Sequence, residues 1–138
     1  MTRKEFISQV GNGVAFLIVP ACITSLTGCS EKSTVPAAPT NVDFTLDVST
    51  GALSSNGGFL VKDGIIIART NTGGFLAVSA ACTHEGTTIQ FQGSTNNFRC
   101  PNHGSTFNTA GQVTVGPAAR SLAVYNTSVT GTSLRVFS

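Results

Sequence analysis

The chain has 138 residues and a net charge of +2, and only 10% of its residues are charged. A chain of this length can bury one hydrophobic core but not two. The small and nearly balanced charge argues against a nucleic-acid-binding protein. Few charges, many Gly, Ser and Thr residues and no tryptophan are typical of an exported β domain.

The first residues predict an export signal. Arg3 and Lys4 precede an apolar stretch, residues 14–26, which has the length of a signal-peptide core and is interrupted by Pro20. A transmembrane helix needs about 20 apolar residues, so this stretch is short for one. Residues 2–7 (TRKEFI) resemble a twin-arginine export motif in which lysine replaces the second arginine. We therefore expect residues 1–28 to be a signal peptide.

The predicted signal ends at a cysteine. Residues 26–29 (LTGC) look like a bacterial lipobox, in which Cys29 would carry the lipid and become the mature N-terminus. An unlipidated signal peptide and a short uncleaved anchor are the alternatives. Residues 29–41 are rich in Ser, Thr, Ala and Pro and predict a flexible tether. This start predicts a lipoprotein that is anchored to a membrane and faces the periplasm.

The remaining residues, 42–138, predict one all-β domain without a helix of note. Two apolar runs flank Asp63-Gly64, which is a signal for a two-residue hairpin. Turn residues at 71–74 and 93–96 separate further short apolar runs. The predicted strands are residues 59–62, 65–69, 75–78, 89–91, 97–99, 122–125 and 134–137.

Two short motifs contain both histidines of the chain and two of its four cysteines: Cys82-Thr83-His84 and Cys100-Pro101-Asn102-His103. Two thiolates and two imidazoles suit an iron-sulfur cluster in which histidines bind one of the two irons. The same set also suits structural zinc, but zinc sites of this kind usually pair cysteine with cysteine and histidine with histidine. A disulfide with two unrelated histidines would leave the glycines after both motifs unexplained. The mixed motifs therefore favour the cluster.

Residues 82–86 (CTHEG) and 100–105 (CPNHGS) resemble the two cluster-binding boxes of the Rieske family. A third segment, residues 116–122, resembles the proline loop that covers the cluster in that family, and it begins with Gly116, Pro117 and Ala118. The likeness extends over roughly residues 42–138. It implies a Rieske-type antiparallel β sandwich with a small cluster-binding subdomain.

The resemblance also implies the cofactor and its ligands. The cofactor would be a Rieske-type [2Fe-2S] cluster. Cys82 and Cys100 would hold its buried iron, and His84 and His103 would hold its outer iron near solvent.

Four residues around the ligands are expected to tune the cluster: Gly86, Gly104, Ser105 and Phe107. The two glycines let the backbone turn and point N–H groups at sulfur. By the resemblance, Ser105 stands where high-potential members place a hydroxyl against a bridging sulfide, and Phe107 stands where they place a tyrosine.

A disulfide that links the two boxes is expected to be absent. The cytochrome bc-type members have cysteines at the positions of Thr87 and Asn102, and neither residue here is a cysteine. One donor and one covalent link are thus missing. We expect an intermediate reduction potential within the range of about −150 to +300 mV that Rieske centres cover.

The resemblance implies one-electron transfer on the periplasmic side of a membrane. The chain would be a subunit or carrier of a quinol/cytochrome respiratory chain, with a cytochrome or a quinol-oxidising complex as partner. A Rieske small subunit of a periplasmic oxidoreductase such as arsenite oxidase, or a ferredoxin component of an oxygenase, are the alternatives. An oxygenase in its own right would need two further histidines for mononuclear iron. We therefore expect an electron-transfer protein that is not catalytic alone.

Overall fold

The computed structural model describes residues 35–138, and these form ten strands and one short 3-10 helix, Gly51–Ser54. All strand pairs are antiparallel, so the fold is all-β as predicted. The strands are β1 (Asp43–Asp47), β2 (Phe59–Lys62), β3 (Ile65–Arg69), β4 (Phe75–Ser79), β5 (Gln90–Gln92), β6 (Asn97–Arg99), β7 (Thr106–Phe107), β8 (Val113–Val115), β9 (Val124–Thr130) and β10 (Ser133–Phe137).

The predicted signal peptide (residues 1–28) and the predicted lipid site Cys29 lie outside the described residues. Among residues 35–138, no helix is long and apolar enough to cross a membrane.

The strands form two sheets. The six-stranded base sheet has the order β1-β10-β9-β4-β3-β2, and the four-stranded cluster sheet has the order β5-β6-β7-β8. The predicted hairpin joins β2 to β3 through Asp63 and Gly64, with φ of 51° and 77°. Positive φ at both central residues is what a type I′ turn requires, which explains the Asp-Gly pair.

Strand β3 explains why an uninterrupted apolar run, IIIA, occurs in a β protein. Ile66 and Ala68 point into one hydrophobic core, whereas Ile65 and Ile67 point into another. Side chains alternate between the two faces of a strand, so a strand that is covered on both faces has no polar position.

The first core lies between the two sheets, and we call it the inter-sheet core. Ile66 and Val78 of the base sheet meet Phe91, Phe98 and Phe107 of the cluster sheet there. The second core, the base core, joins β3 to β10 through Ile67 and Leu134. Two strands lie between β3 and β10 in the sheet order, so the presence of side chains from both strands in one core means that the base sheet curls around that core.

The turn between β5 and β6 is fastened to the base sheet. The Asn71 N–H donates to Asn96 Oδ1 over 2.9 Å, and Asn96 Nδ2 donates to Asn71 Oδ1 over 2.7 Å. Beside this pair, a Cβ on Gly93 would lie 2.4 Å from Gly57 Cα, so the two glycines let the backbones touch. The cluster sheet is thereby held at the end that faces away from the cysteines and histidines.

Some strands differ from the sequence-based expectation. A strand was predicted at residues 122–125, but β9 begins at Val124 and continues through the mostly polar residues 126–130. Strands β1, β7 and β8 were not predicted. Strand β1 forms because it pairs with β10 at the far end of the chain, with Asp43 opposite Phe137, which periodicity cannot reveal. Strands β7 and β8 and the second half of β9 pair with neighbours close in sequence, but they are too short or too polar to show an apolar pattern.

Candidate metal centre

Two loops with the same pair of backbone hydrogen bonds carry the predicted ligands. In ligand loop 1 (residues 81–88), the Cys82 N–H donates to the Thr87 carbonyl and the Gly86 N–H donates to the Cys82 carbonyl, both over 2.8 Å. In ligand loop 2 (residues 100–105), Cys100 and Gly104 repeat this pattern, with bonds of 2.8 Å to the Ser105 carbonyl and 3.0 Å to the Cys100 carbonyl. Each cysteine therefore begins a loop that closes on itself five residues later.

The glycine in each loop is required by the backbone. Gly86 has a φ of 78° and Gly104 has a φ of 76°. This left-handed conformation is unfavourable for residues with a Cβ, and in each loop it falls four residues after the cysteine. The predicted role of these two glycines in turning the backbone therefore has a structural basis.

The two cysteines lie side by side in the inter-sheet core. Cys82 is 0% exposed and Cys100 is 2% exposed, and neither forms a disulfide. Burial raises the pKa of the Cys82 thiol, while the backbone N–H groups of His84 and Glu85 act to lower it and the adjacent Cys100 thiol adds to the rise. N–H groups directed at a sulfur are suited to a thiolate that binds metal.

The histidines lie nearer the surface and face each other. The ring centroids of His84 and His103 are 4.9 Å apart, and the rings are nearly perpendicular at 83°. His84 Nδ1 is buried without a hydrogen-bond partner, whereas the His103 side chain is 41% exposed. A buried nitrogen without a partner is costly in a folded protein, and a metal ion that accepts its lone pair removes that cost.

Three cross-loop hydrogen bonds tie ligand loop 1, ligand loop 2 and the proline loop (residues 116–122) to one another in pairs. They are Thr83 Oγ1 to the Arg120 carbonyl (2.6 Å), Asn102 Nδ2 to Glu85 Oε2 (3.1 Å) and the Ala118 N–H to Ser105 Oγ (3.0 Å). The structure thus brings the predicted Ser105 and Ala118 together. Sequence reasoning missed the links through Thr83 and Glu85, because no local pattern marks a partner in another loop.

The remaining predicted residues occupy different surroundings. Phe107 is fully buried in the inter-sheet core, opposite Phe98 of the neighbouring strand, so it contributes packing and offers no hydrogen-bond donor. Gly116 and Pro117 lie at the exposed start of the proline loop, and Ala118, the third residue of that loop, is buried.

These donors fit a [2Fe-2S] cluster with mixed ligation. Two buried thiols come from equivalent positions of two loops, and two imidazoles lie together at the surface, one of them with an unpaired buried nitrogen. Glu85 also lies near both histidines, with ligand atoms of the three residues within 4.8 Å of one another. Its carboxylate already accepts the Asn102 amide, and it is exposed.

Comparison with known proteins agrees with this geometry. The family model of the Rieske [2Fe-2S] domain matches residues 39–126. The cytochrome b6-f complex iron-sulfur subunit of Synechococcus elongatus is 38% identical over 66 residues, which is 48% of this chain and 37% of that protein. The corresponding chloroplastic subunit of Pisum sativum is 40% identical over 60 residues, 44% of this chain and 26% of that protein. The chain thus matches well under half of these relatives' length.

Solved structures give the same fold. The cyanobacterial plasma membrane Rieske protein PetC3 from Synechocystis PCC 6803 superposes with a TM-score of 0.55 at 32% identity, over 67% of this chain and 99% of that one. The ferredoxin of carbazole 1,9a-dioxygenase from Nocardioides aromaticivorans IC177 gives a TM-score of 0.57 at 22% identity, over 72% and 98%, and so shows the fold alone. The chain belongs to the Rieske [2Fe-2S] domain family, and its cofactor is the Rieske-type cluster of that family.

Proposed function

We propose that this protein transfers single electrons through a [2Fe-2S] cluster bound by Cys82, Cys100, His84 and His103. The observation that carries the proposal is the pair of ligand loops with the same backbone hydrogen bonds, which present two buried thiols and two adjoining imidazoles. When bound, the cluster supplies a one-electron couple, and histidine ligation raises its potential above that of an all-cysteine cluster.

The residues around the proposed cluster have different roles in electron transfer. The buried cysteines keep two ligands away from water, which favours slow exchange of the metal. The half-exposed His103 lies where a redox partner can approach the cluster closely. The Ser105 hydroxyl already accepts the Ala118 N–H, so its own proton is free to reach a sulfur acceptor and stabilise the more negative reduced state.

We also propose an exported, membrane-anchored protein that serves a quinol/cytochrome chain as a subunit or carrier. The beginning of the sequence supports this proposal, since residues 1–28 resemble a signal peptide and Cys29 stands at the lipid site of a lipobox. Residues 29–41 would then be the tether, and residues 42–138 the Rieske domain. The relatives support it as well, because they are named as iron-sulfur subunits of the cytochrome b6-f complex and as a plasma membrane Rieske protein. We place the protein on the periplasmic face.

Electron paramagnetic resonance of the full chain after dithionite reduction tests the electron-transfer proposal. We expect a rhombic signal with the low average g value of mixed His and Cys ligation, with iron and acid-labile sulfide in equal amounts. The variant His103→Ala should lose this signal, whereas Thr109→Ala, in an exposed turn of the same sheet, should keep it. Stoichiometric zinc with no signal in freshly prepared protein would overturn the proposal.

Lipid labelling tests the anchor separately. Cells expressing the full chain and supplied with radioactive palmitate should label the protein, and Cys29→Ala should abolish both the label and membrane retention. Cys22→Ala is the matched control, because this cysteine lies inside the predicted signal peptide and should be dispensable. Retention of Cys29→Ala in the membrane as an unprocessed chain would instead indicate an uncleaved anchor.

A further inference from the structure

The residues immediately before β1 contact the domain, although sequence analysis assigned them to the tether. Tyr125 Oη donates a 2.8 Å hydrogen bond to the Pro39 carbonyl, and Tyr125 is only 6% exposed. A buried hydroxyl that lost this acceptor would be left unpaired. We call residues 35–41 the N-terminal strap.

A second contact holds the strap beside the β2–β3 hairpin. A Cβ on Gly64 would lie only 3.1 Å from Pro39 Cγ, so the missing side chain lets the proline ring approach. Pro36 and Pro39 also fix φ at two strap positions, which reduces the freedom that the strap loses when it docks.

From Pro39 the strap runs toward the cluster end of the domain. Residues 36–38 border two grooves, one of which is also lined by Gly86 and Thr88 of ligand loop 1. Val35 borders the other groove together with Thr83 of the same loop and Arg120 of the proline loop. The first described residue, Val35, therefore lies beside the Thr83–Arg120 hydrogen bond, which joins ligand loop 1 to the proline loop.

We propose that the strap is a fixed part of the domain and that it makes the chain leave the domain beside ligand loop 1. This inference rests on the lipid anchor proposed above. The chain from Cys29 to Val35 can then reach at most about 20 Å, instead of about 40 Å for the whole predicted tether. The cluster is held close to the membrane surface, which favours a redox partner embedded in the membrane over a carrier that diffuses freely.

Distances between nitroxide labels on the full chain test whether the strap is fixed. Labels are attached through a ketone-bearing unnatural amino acid, which avoids the thiols, at the exposed positions Ala37 and Thr132. We expect a narrow distance distribution. Tyr125→Phe should broaden it, because loss of one ordinary hydrogen bond shifts the docked-to-released ratio about fivefold. The control pair Ser94 and Thr132 should stay narrow in both proteins.

The direction of the strap is read from a second signal in two singly labelled proteins, one labelled at position 37 and one at position 132. Their cluster is reduced by irradiation of the frozen sample, because dithionite would also reduce the nitroxide. The reduced cluster is paramagnetic and should speed relaxation of the label at position 37 more than that at position 132, which lies in the β9–β10 turn. A broad 37–132 distribution in the unmodified chain, no effect of Tyr125→Phe, or equal relaxation at both labels would overturn the inference. A missing cluster signal would contradict the proposed function instead, while the distance between the nitroxides would still decide whether the strap is fixed.

Discussion

Single hydrogen bonds between loops take the place of a covalent link at this metal centre. The resemblance to cytochrome bc-type Rieske proteins implies that Asn102 stands at one of the two positions of their bridging cysteines, and the Asn102 amide reaches Glu85 in the opposite ligand loop. A hydrogen bond of this kind contributes about 1 kcal/mol, less than a typical disulfide. The loops therefore depend on the inter-sheet core and on the bound cluster to keep their shape.

Loss of the Asn102 amide should make the cluster more labile. We expect Asn102→Ala to speed bleaching of the cluster's visible absorbance at elevated temperature about two- to fivefold, because one exposed cross-loop bond is removed. Its matched control is Asn108→Ala, which also breaks side-chain bonds but in the turn after β7. Equal bleaching rates for Asn102→Ala and the unmodified protein would show that the link does not hold the loops.

Loss of the Ser105 hydroxyl should lower the reduction potential. A donor to sulfur favours the more negative reduced state, so Ser105→Ala should shift the midpoint down by about 60 mV, which is a tenfold change for one electron. Ser121→Ala, an exposed serine of the proline loop, serves as control. Protein-film voltammetry of the three proteins measures the shift, and an unchanged midpoint in Ser105→Ala would remove this serine from the set of tuning residues.

Among the elements, the β5–β6 hairpin positions both ligand loops, because ligand loop 1 precedes β5 and ligand loop 2 follows β6. Its turn is fixed to the base sheet by the Asn71–Asn96 pair and the contact of Gly57 with Gly93. A disturbance of the turn must therefore move the strands that carry the ligands.

Gly93→Ala should destabilise the fold. The new Cβ would lie 2.4 Å from the Gly57 Cα, so two stretches of backbone must separate. We expect the free energy of unfolding to fall by about 1–3 kcal/mol, the usual cost of overpacking. Denaturant unfolding measures this, with Ser94→Ala in the same turn as a control that should change stability by less than about 0.5 kcal/mol. If both variants are equally stable, the glycine contact does not matter for folding.

Elements differ in how well local sequence predicts them. The β2–β3 hairpin was predicted correctly, because Asp63-Gly64 forms a tight turn from local backbone preferences alone. Strand β9 was misplaced, because its residues 126–130 are mostly polar and show no apolar pattern, and they are extended through pairing with β10. The first kind of signal is local, and the second exists only once the sheet has formed.

At the scale of the whole molecule, surface charge contributes little. Arg135 makes a two-pronged ion pair with Asp43, at 2.8 and 2.7 Å, and Lys62 lies 3.2 Å from Asp63, but all four side chains are exposed. Exposed pairs contribute little to stability. Distant parts of the chain are held together instead by the two apolar cores, by strand pairs such as β1 with β10, and by contacts such as the one between Tyr125 and the strap.

Alkaline pH should release the strap contact. Burial raises the pKa of Tyr125 above its ordinary value of 10.0, so its contribution to stability is fully present below about pH 10 and is lost as pH rises through the folded-state pKa. Tyr125 is the single tyrosine of the chain, so tyrosinate absorbance reports it directly. Above that pKa, the unmodified protein should lose stability relative to Tyr125→Phe in denaturant unfolding. A titration midpoint at or below the ordinary value would contradict this expectation.

The sequence by itself determined the all-β class, the Rieske family and the residues that are candidate ligands. The class follows from short apolar runs separated by turn residues. The family and the ligands follow from a Cys-x-His and a Cys-x-x-His motif with nearby glycines, whose residues lie within a few positions of one another. Only the tertiary structure decided which loops are linked, where Ser105 and Phe107 lie, and that the strap lies against the domain. Those contacts join residues such as Pro39 and Tyr125 that are 86 positions apart. Such residues come into contact only when the hydrophobic cores form, and no local sequence pattern indicates which residues will be partners.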